Sequence, residues 1–166
     1  MLHHVSVGVA DVVRAASFYD EVLAALGYKR TAQYLPYAVA YGAGVSQFWI
    51  GLPHDQKAPH AGNGNHVGFS ARSKEAVDKF YRAALDHGGQ DEGRPGPRPD
   101  YGPDYYGAFV RDPFGNKIEA VLHIEPKPAR AKASPAKAKA KAKPAKKAKK
   151  PVKRAVKAVK RKAKRR

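Results

Sequence analysis

Cysteine is absent from this chain, and with it any disulfide framework, thiolate metal site or cysteine nucleophile. Long apolar runs are missing too. No stretch approaches the roughly 18 consecutive apolar residues of a membrane span. The N-terminal run lacks a basic lead-in and is broken by Asp11 and Arg14, unlike a secretory signal. There is no Gly-rich phosphate loop, no P-loop and no Ser-His-Asp order. These absences point to a reducing, cytoplasmic setting and away from disulfide, membrane-spanning and nucleotide-cradling classes.

Acid is the most unevenly missing component. Residues 126–166 hold 15 Lys and 5 Arg without one Asp or Glu, so this segment alone carries +20. The other 12 basic and 14 acidic residues lie in 1–125, which stands at −2 although the whole chain is at +18. Such asymmetry marks a basic arm joined to an ordinary domain. The first 125 residues suffice for one domain with a real core, and not for two.

The arm contains only Lys, Arg, Ala, Pro, Val and one Ser. Pro126, Pro128, Pro135, Pro144 and Pro151 recur too often for a long helix. With no aromatic group to bury, it is expected to be disordered alone. It resembles the Lys/Ala/Pro tails of linker histones and bacterial histone-like proteins, down to Ser134-Pro135-Ala136-Lys137. That resemblance implies non-specific DNA binding, and association with the nucleoid (the nucleus in a eukaryote). The phosphate-binding residues would be Lys137, Lys139, Lys141, Lys143, Lys146, Lys147, Lys149, Lys150, Lys153, Arg154, Lys157, Lys160, Arg161, Lys162, Lys164, Arg165 and Arg166. Each phosphate neutralised frees condensed cations, so affinity falls steeply with salt. Val152, Ala155, Val156 and Val159 allow a short basic helix to form on binding.

The domain repeats itself. A shift of 62 residues lays His4-Val5 on His66-Val67, Phe18-Tyr19 on Phe80-Tyr81, Leu23 on Leu85, and Gly27 on Gly89. The register then slips by eight, which is assigned to a Gly/Pro-rich insert at Gly93–Pro103. Alternation over Leu2–Val9 predicts a strand, Asp11 an N-cap, and Val12 to Leu26 a helical apolar stripe ending at Gly27. Strands are predicted over Tyr28–Tyr34, Tyr37–Tyr41 and Val45–Leu52. In the second copy they fall over His66–Ala71, Tyr105–Arg111 and Lys117–His123, with a helix capped by Ser73 and carrying Val77, Phe80, Tyr81, Ala84 and Leu85. Asp112-Pro113-Phe114-Gly115-Asn116 has tight-turn chemistry.

Paired βαβββ units, His-Val opening each copy, Phe-Tyr in each helix, and Asp-Pro-Phe-Gly-Asn-Lys-Ile-Glu in the last hairpin resemble the vicinal oxygen chelate superfamily. That group includes glyoxalase I, extradiol dioxygenases, fosfomycin-resistance transferases and bleomycin-binding proteins. The resemblance covers residues 1–123 and implies an α+β fold, two βαβββ modules forming a half-open mixed-sheet barrel, and a homodimer.

It also implies a divalent metal held by His4, His66 and Glu119. The fourth family position falls on Trp49, which cannot coordinate, and Gln47 is its weak substitute. Two imidazoles and one carboxylate suit Mn, Fe or Zn and leave room for a substrate with two adjacent oxygens. Gln47 or the loop residue His54 would assist proton transfer. Trp49, Tyr41 and Tyr106 would wall a ligand pocket, with Arg98 available to bind an anionic group. Three functions stay open: a metal-dependent lyase, isomerase, oxygenase or transferase; a bleomycin-resistance-like small-ligand binder without chemistry; and a dimerisation platform for the arm.

Overall fold

The computed structural model describes residues 2–123, so the basic arm lies outside the described residues. Two βαβββ modules follow one another. The first runs β1 (Val5–Gly8), α1 (Val12–Ala24), β2 (Lys29–Tyr34), β3 (Ala38–Gly42) and β4 (Phe48–Gly51). The second runs β5 (Val67–Ser70), α2 (Lys74–Asp86), β6 (Gln90–Pro97), β7 (Tyr105–Arg111) and β8 (Lys117–His123). Each makes a four-stranded mixed sheet, ordered β1-β4-β3-β2 and β5-β8-β7-β6. The two orders are the same permutation, as a duplication requires.

The helices start where their caps dictate. Asp11 accepts from Arg14 N, and Ser73 accepts from Ala76 N, relieving donors that the first turn leaves unpaired. Past the helix ends, Gly27 at φ 85° and Gly88 at φ 92° take the left-handed conformation that side chains resist. Val12, Ala15, Ala16, Tyr19, Val22 and Leu23 are buried from α1, and Val77, Phe80 and Ala84 from α2. They join Ile50, Val39, Ile118 and Ala120 in one core cluster spanning both modules. Leu85, expected in the stripe, is exposed, because α2 turns its Val77-Phe80-Ala84 line inward instead.

One strand escapes sequence reading. Much of the expected insert at Gly93–Pro103 is β6, paired antiparallel to β7 through two register shifts around Gly93 and Gly96. Gly and Pro interrupt alternation at such bulges, and an edge strand tolerates them. Only Pro99–Tyr101 forms a 3-10 turn. β4 is shorter than Val45–Leu52, since Val45 lies in the bend that follows Gly42 and Gly44.

The modules are tied by one buried carboxylate. Asp112, 2% exposed, opens the β7–β8 turn. Its Oδ1 accepts from Phe114 N at 2.9 Å and Asn116 N at 2.8 Å. Its Oδ2 accepts from Asn116 Nδ2 at 2.9 Å and, from the other module, Tyr19 Oη at 2.8 Å. Asn116 Nδ2 also donates to Gly8 O on β1 at 3.1 Å. Burial and then Asp112 push the Tyr19 phenol well above its usual pKa, so it stays a donor.

Removing that acceptor strands several donors at once. Asp112→Ala is expected to cost about 3 kcal/mol in urea unfolding, and Tyr19→Phe about 1 kcal/mol. A loss below about 0.5 kcal/mol for Asp112→Ala would contradict the assigned role.

Candidate functional site

Ile118 and Ala120 of β8 point into the core, so Lys117, Glu119 and Val121 face the opposite side of the sheet, away from the helices. Glu119 is nonetheless only 2% exposed. Its Oε1 accepts from Tyr105 Oη at 2.6 Å, and His66 Nε2 stands 3.3 Å from Oε2. Glycines make the room. A Cβ on Gly107 would come within 3.0 Å of Oε1, and one on Gly68 within 3.5 Å of Oε2. A carboxylate withdrawn from water must be hydrogen-bonded or paired, and here the Tyr105 phenol supplies the hydrogen bond while the His66 imidazole lies alongside. Burial, and then the bond to Glu119, raise the Tyr105 phenol above its ordinary range.

Phe109 floors the same face. Its ring centroid is 6.0 Å from that of His66, with Arg98 Cζ at 5.7 Å and Lys117 Nζ at 5.0 Å from it. Lys117 is matched by Glu92 Oε2 at 3.5 Å.

The first module offers a different surface at the equivalent place. Ser6 pairs with Trp49 as Gly68 pairs with Glu119, so the indole occupies the carboxylate's register position. Trp49 stacks on Tyr34 at 6.2 Å and 14°, and the His4 ring is 6.4 Å away at an edge-on angle. His4 Nδ1 contacts His3 Nδ1 at 2.8 Å. His4, Ser6, Gly8, Tyr37 and Trp49 line an open groove of about 470 Å³.

Of the three residues expected to hold a metal, His66 and Glu119 therefore meet, while His4 stands in the other module with Trp49. Among the described residues, no three His, Cys, Asp or Glu side chains gather closely enough to hold an ion within one chain. The donor chemistry of His66 and Glu119 suits a divalent cation: Oε2 faces the exposed His66 imidazole across 3.3 Å, while Tyr105 holds Oε1. The set within one chain stops at two.

Several expected pocket residues sit elsewhere. Tyr41 packs into the core, its hydroxyl donating to Asp20 Oδ1 at 3.1 Å or Ala16 O at 3.3 Å, and it lines the cavity beside Gln47 rather than the Glu119 site. Tyr106 faces α2, donating to Asp78 Oδ1 at 3.0 Å beneath Lys74. Its neighbour Tyr105 takes the place at the site instead. Gln47 lies beside a separate cavity of about 210 Å³ with Tyr28, Val67 and Phe69, and no hydrogen bond joins it to His66 or Glu119. His54 is exposed on the β4–β5 connection, without a bond to the site. Arg98 does reach the helix-free face, over Phe109.

A family model described as the Glyoxalase/Bleomycin resistance protein/Dioxygenase superfamily matches residues 1–120. A glyoxalase/bleomycin resistance protein from Albidiferax ferrireducens T118 is similar at 37% identity and a TM-score of 0.64, covering 72% of this chain and 96% of that one. A glyoxalase/bleomycin resistance protein/dioxygenase family enzyme from Burkholderia phytofirmans PsJN shares the fold at 22% identity and a TM-score of 0.58, covering 73% and 97%. The lactoylglutathione lyase of Agrobacterium tumefaciens does so at 19% identity and a TM-score of 0.53, covering 74% and 92%. No curated protein matches the chain.

The Tyr105–Glu119 bond has an optical signature. In a spectrophotometric titration, Tyr105→Phe is expected to remove one tyrosine from the group that ionises above the ordinary phenol value of about 10. Glu119→Gln should move the Tyr105 phenol back toward that value. Loss of an early-ionising tyrosine on Tyr105→Phe would contradict the geometry.

Proposed function

The chain belongs to the Glyoxalase/Bleomycin resistance protein/Dioxygenase superfamily, and from that premise we propose that it is a metal-dependent enzyme acting on a small substrate with two adjacent oxygens. Its ligand set is His66 and Glu119 of one chain, completed by His4 of the partner subunit in a two-fold dimer. One observation carries this reading: a carboxylate 2% exposed, set over two glycines with an imidazole 3.3 Å away, on a face free of helices. Members of the superfamily commonly use divalent metals, and a Mn, Fe or Zn ion there would supply Lewis-acid stabilisation of a developing oxyanion.

The chain's own residues divide the remaining work. Tyr105 donates to the Glu119 carboxylate and fixes its orientation. Phe109 excludes water beneath the site. His4 meets the half-buried Trp49 edge-on beside the exposed Tyr34, a surface that a second copy would carry toward His66. The Trp49–Tyr34 stack also favours a second reading, in which the protein holds a planar ligand on aromatic faces without chemistry.

The arm is the other half of the proposal. Residues 126–166, at +20, anchor the domain to DNA by counterion release and so place it at the nucleoid.

Purified protein is expected to carry about one transition metal per chain and to lose it on His66→Ala. Metal-free protein with catalytically silent His66→Ala would favour the ligand-binding reading. For the arm, truncation after Glu125 should abolish the DNA mobility shift at low salt while the domain stays folded. If ten charges engage phosphates, the log–log salt slope of the full chain should be about −9. Undiminished DNA binding by the truncated chain would refute the assignment.

A further inference from the structure

Arg98 is held in place without an acid. Lys117, Arg111 and Arg94 each have a carboxylate within reach, whereas no ion pair includes Arg98 among the described residues. Backbone seats its guanidinium instead: Nη2 donates to Arg94 O at 2.7 Å and Nη1 to Pro97 O at 3.3 Å. The group lies against two glycines of β6. A Cβ on Gly93 would come within 3.3 Å of Nη2, and one on Gly96 within 3.3 Å of Nη1. Those glycines stand at the register shifts that bend β6, so the irregular strand and the seat are one feature. On its other side the guanidinium rests over Phe109, whose ring separates it from His66.

Two of the five guanidinium N–H donors are thereby used, and the planar fork is already oriented. A fixed cation with spare donors and no protein counter-charge is suited to an oxyanion. The geometry points to Arg98 as an oxyanion seat, selecting substrates that carry a carboxylate or phosphonate one ring's breadth from the atoms presented to Glu119 and His66. The position of the reacting end rests on the enzymatic reading above; the seat itself does not, because an anion binds Arg98 whether or not a metal is held.

The test uses the full chain, so that the basic arm contributes equally to every variant. Pyruvate, methylphosphonate and the neutral pyruvamide are titrated while the backbone amide resonances of Gly93, residue 96 and Phe109, which pack against the guanidinium, are followed by NMR. Saturable shifts are expected with pyruvate, methylphosphonate or both, which tells a planar from a tetrahedral seat, and none with pyruvamide. Arg98→Met should weaken binding about tenfold or more. Gly96→Ala keeps the charge but places a methyl against Nη1, and should weaken it about threefold. Equal affinity in the wild type and Arg98→Met, or no saturable shift with either anion, overturns the seat. Metal content measured alongside separates the two readings. Metal-free protein that still binds anions at Arg98 removes only the enzymatic reading, and metal-loaded protein blind to them removes only the seat.

Discussion

The fold turns on a single buried carboxylate that four hydrogen bonds share out between two modules. Asp112 closes the β7–β8 turn upon itself, and through Tyr19 grips α1 of the first module. Asn116, held by the same carboxylate, reaches Gly8 at the end of β1. Apolar contacts between the modules are numerous but tolerant of sliding, because hydrophobic attraction has no direction. Directional bonds from a buried anion fix one arrangement, since any shift leaves a donor unpaired. Three residues beyond Asn116 stands Glu119, and four residues before Gly8 stands His4. The turn therefore sets the positions of both strands from which the proposed donor set is drawn.

The helix-free face of the second sheet is shaped by what its strands omit. Gly68 and Gly107 leave a hollow that Glu119 fills, and Gly93 and Gly96 leave one for Arg98. Both polar groups are thus sunk into the sheet, with Phe109 between them and His66 at the rim. A charge lying in such a hollow has few rotamers left to lose when a ligand arrives, which is the advantage of a preorganised site. The first sheet spends the corresponding surface on Trp49 and Tyr34. Duplication has here produced one polar half and one aromatic half.

Much of this was legible in the sequence because a repeat supplies its own alignment. The offset of 62, with its slip of eight, predicts that Trp49 answers to Glu119, and the strand registers agree residue by residue. Helix caps and turn glycines were equally plain, since Asp11, Ser73, Gly27 and the Asp112–Asn116 turn each use residues with one dominant local conformation. Sidedness was not legible where a strand is covered on both faces. β3 is buried almost throughout and β7 through its middle, so alternation fades and the helix-facing Tyr106 could not be told from a wall residue. β6 was hidden by its glycines and prolines. The gathering of His66 and Glu119 followed from the family resemblance laid over the repeat, whereas Tyr105 had no signal beyond its neighbour Tyr106.

The central claim is that one chain carries two incomplete halves of a site, His66 with Glu119 in one and His4 in the other. Co-expression of His4→Ala chains with His66→Ala chains tests it directly through metal content. Each variant alone should be empty, while the mixture should regain about a quarter of the wild-type metal, the share expected for random pairing in a two-fold dimer. A mixture as empty as its components would contradict a site divided between two copies.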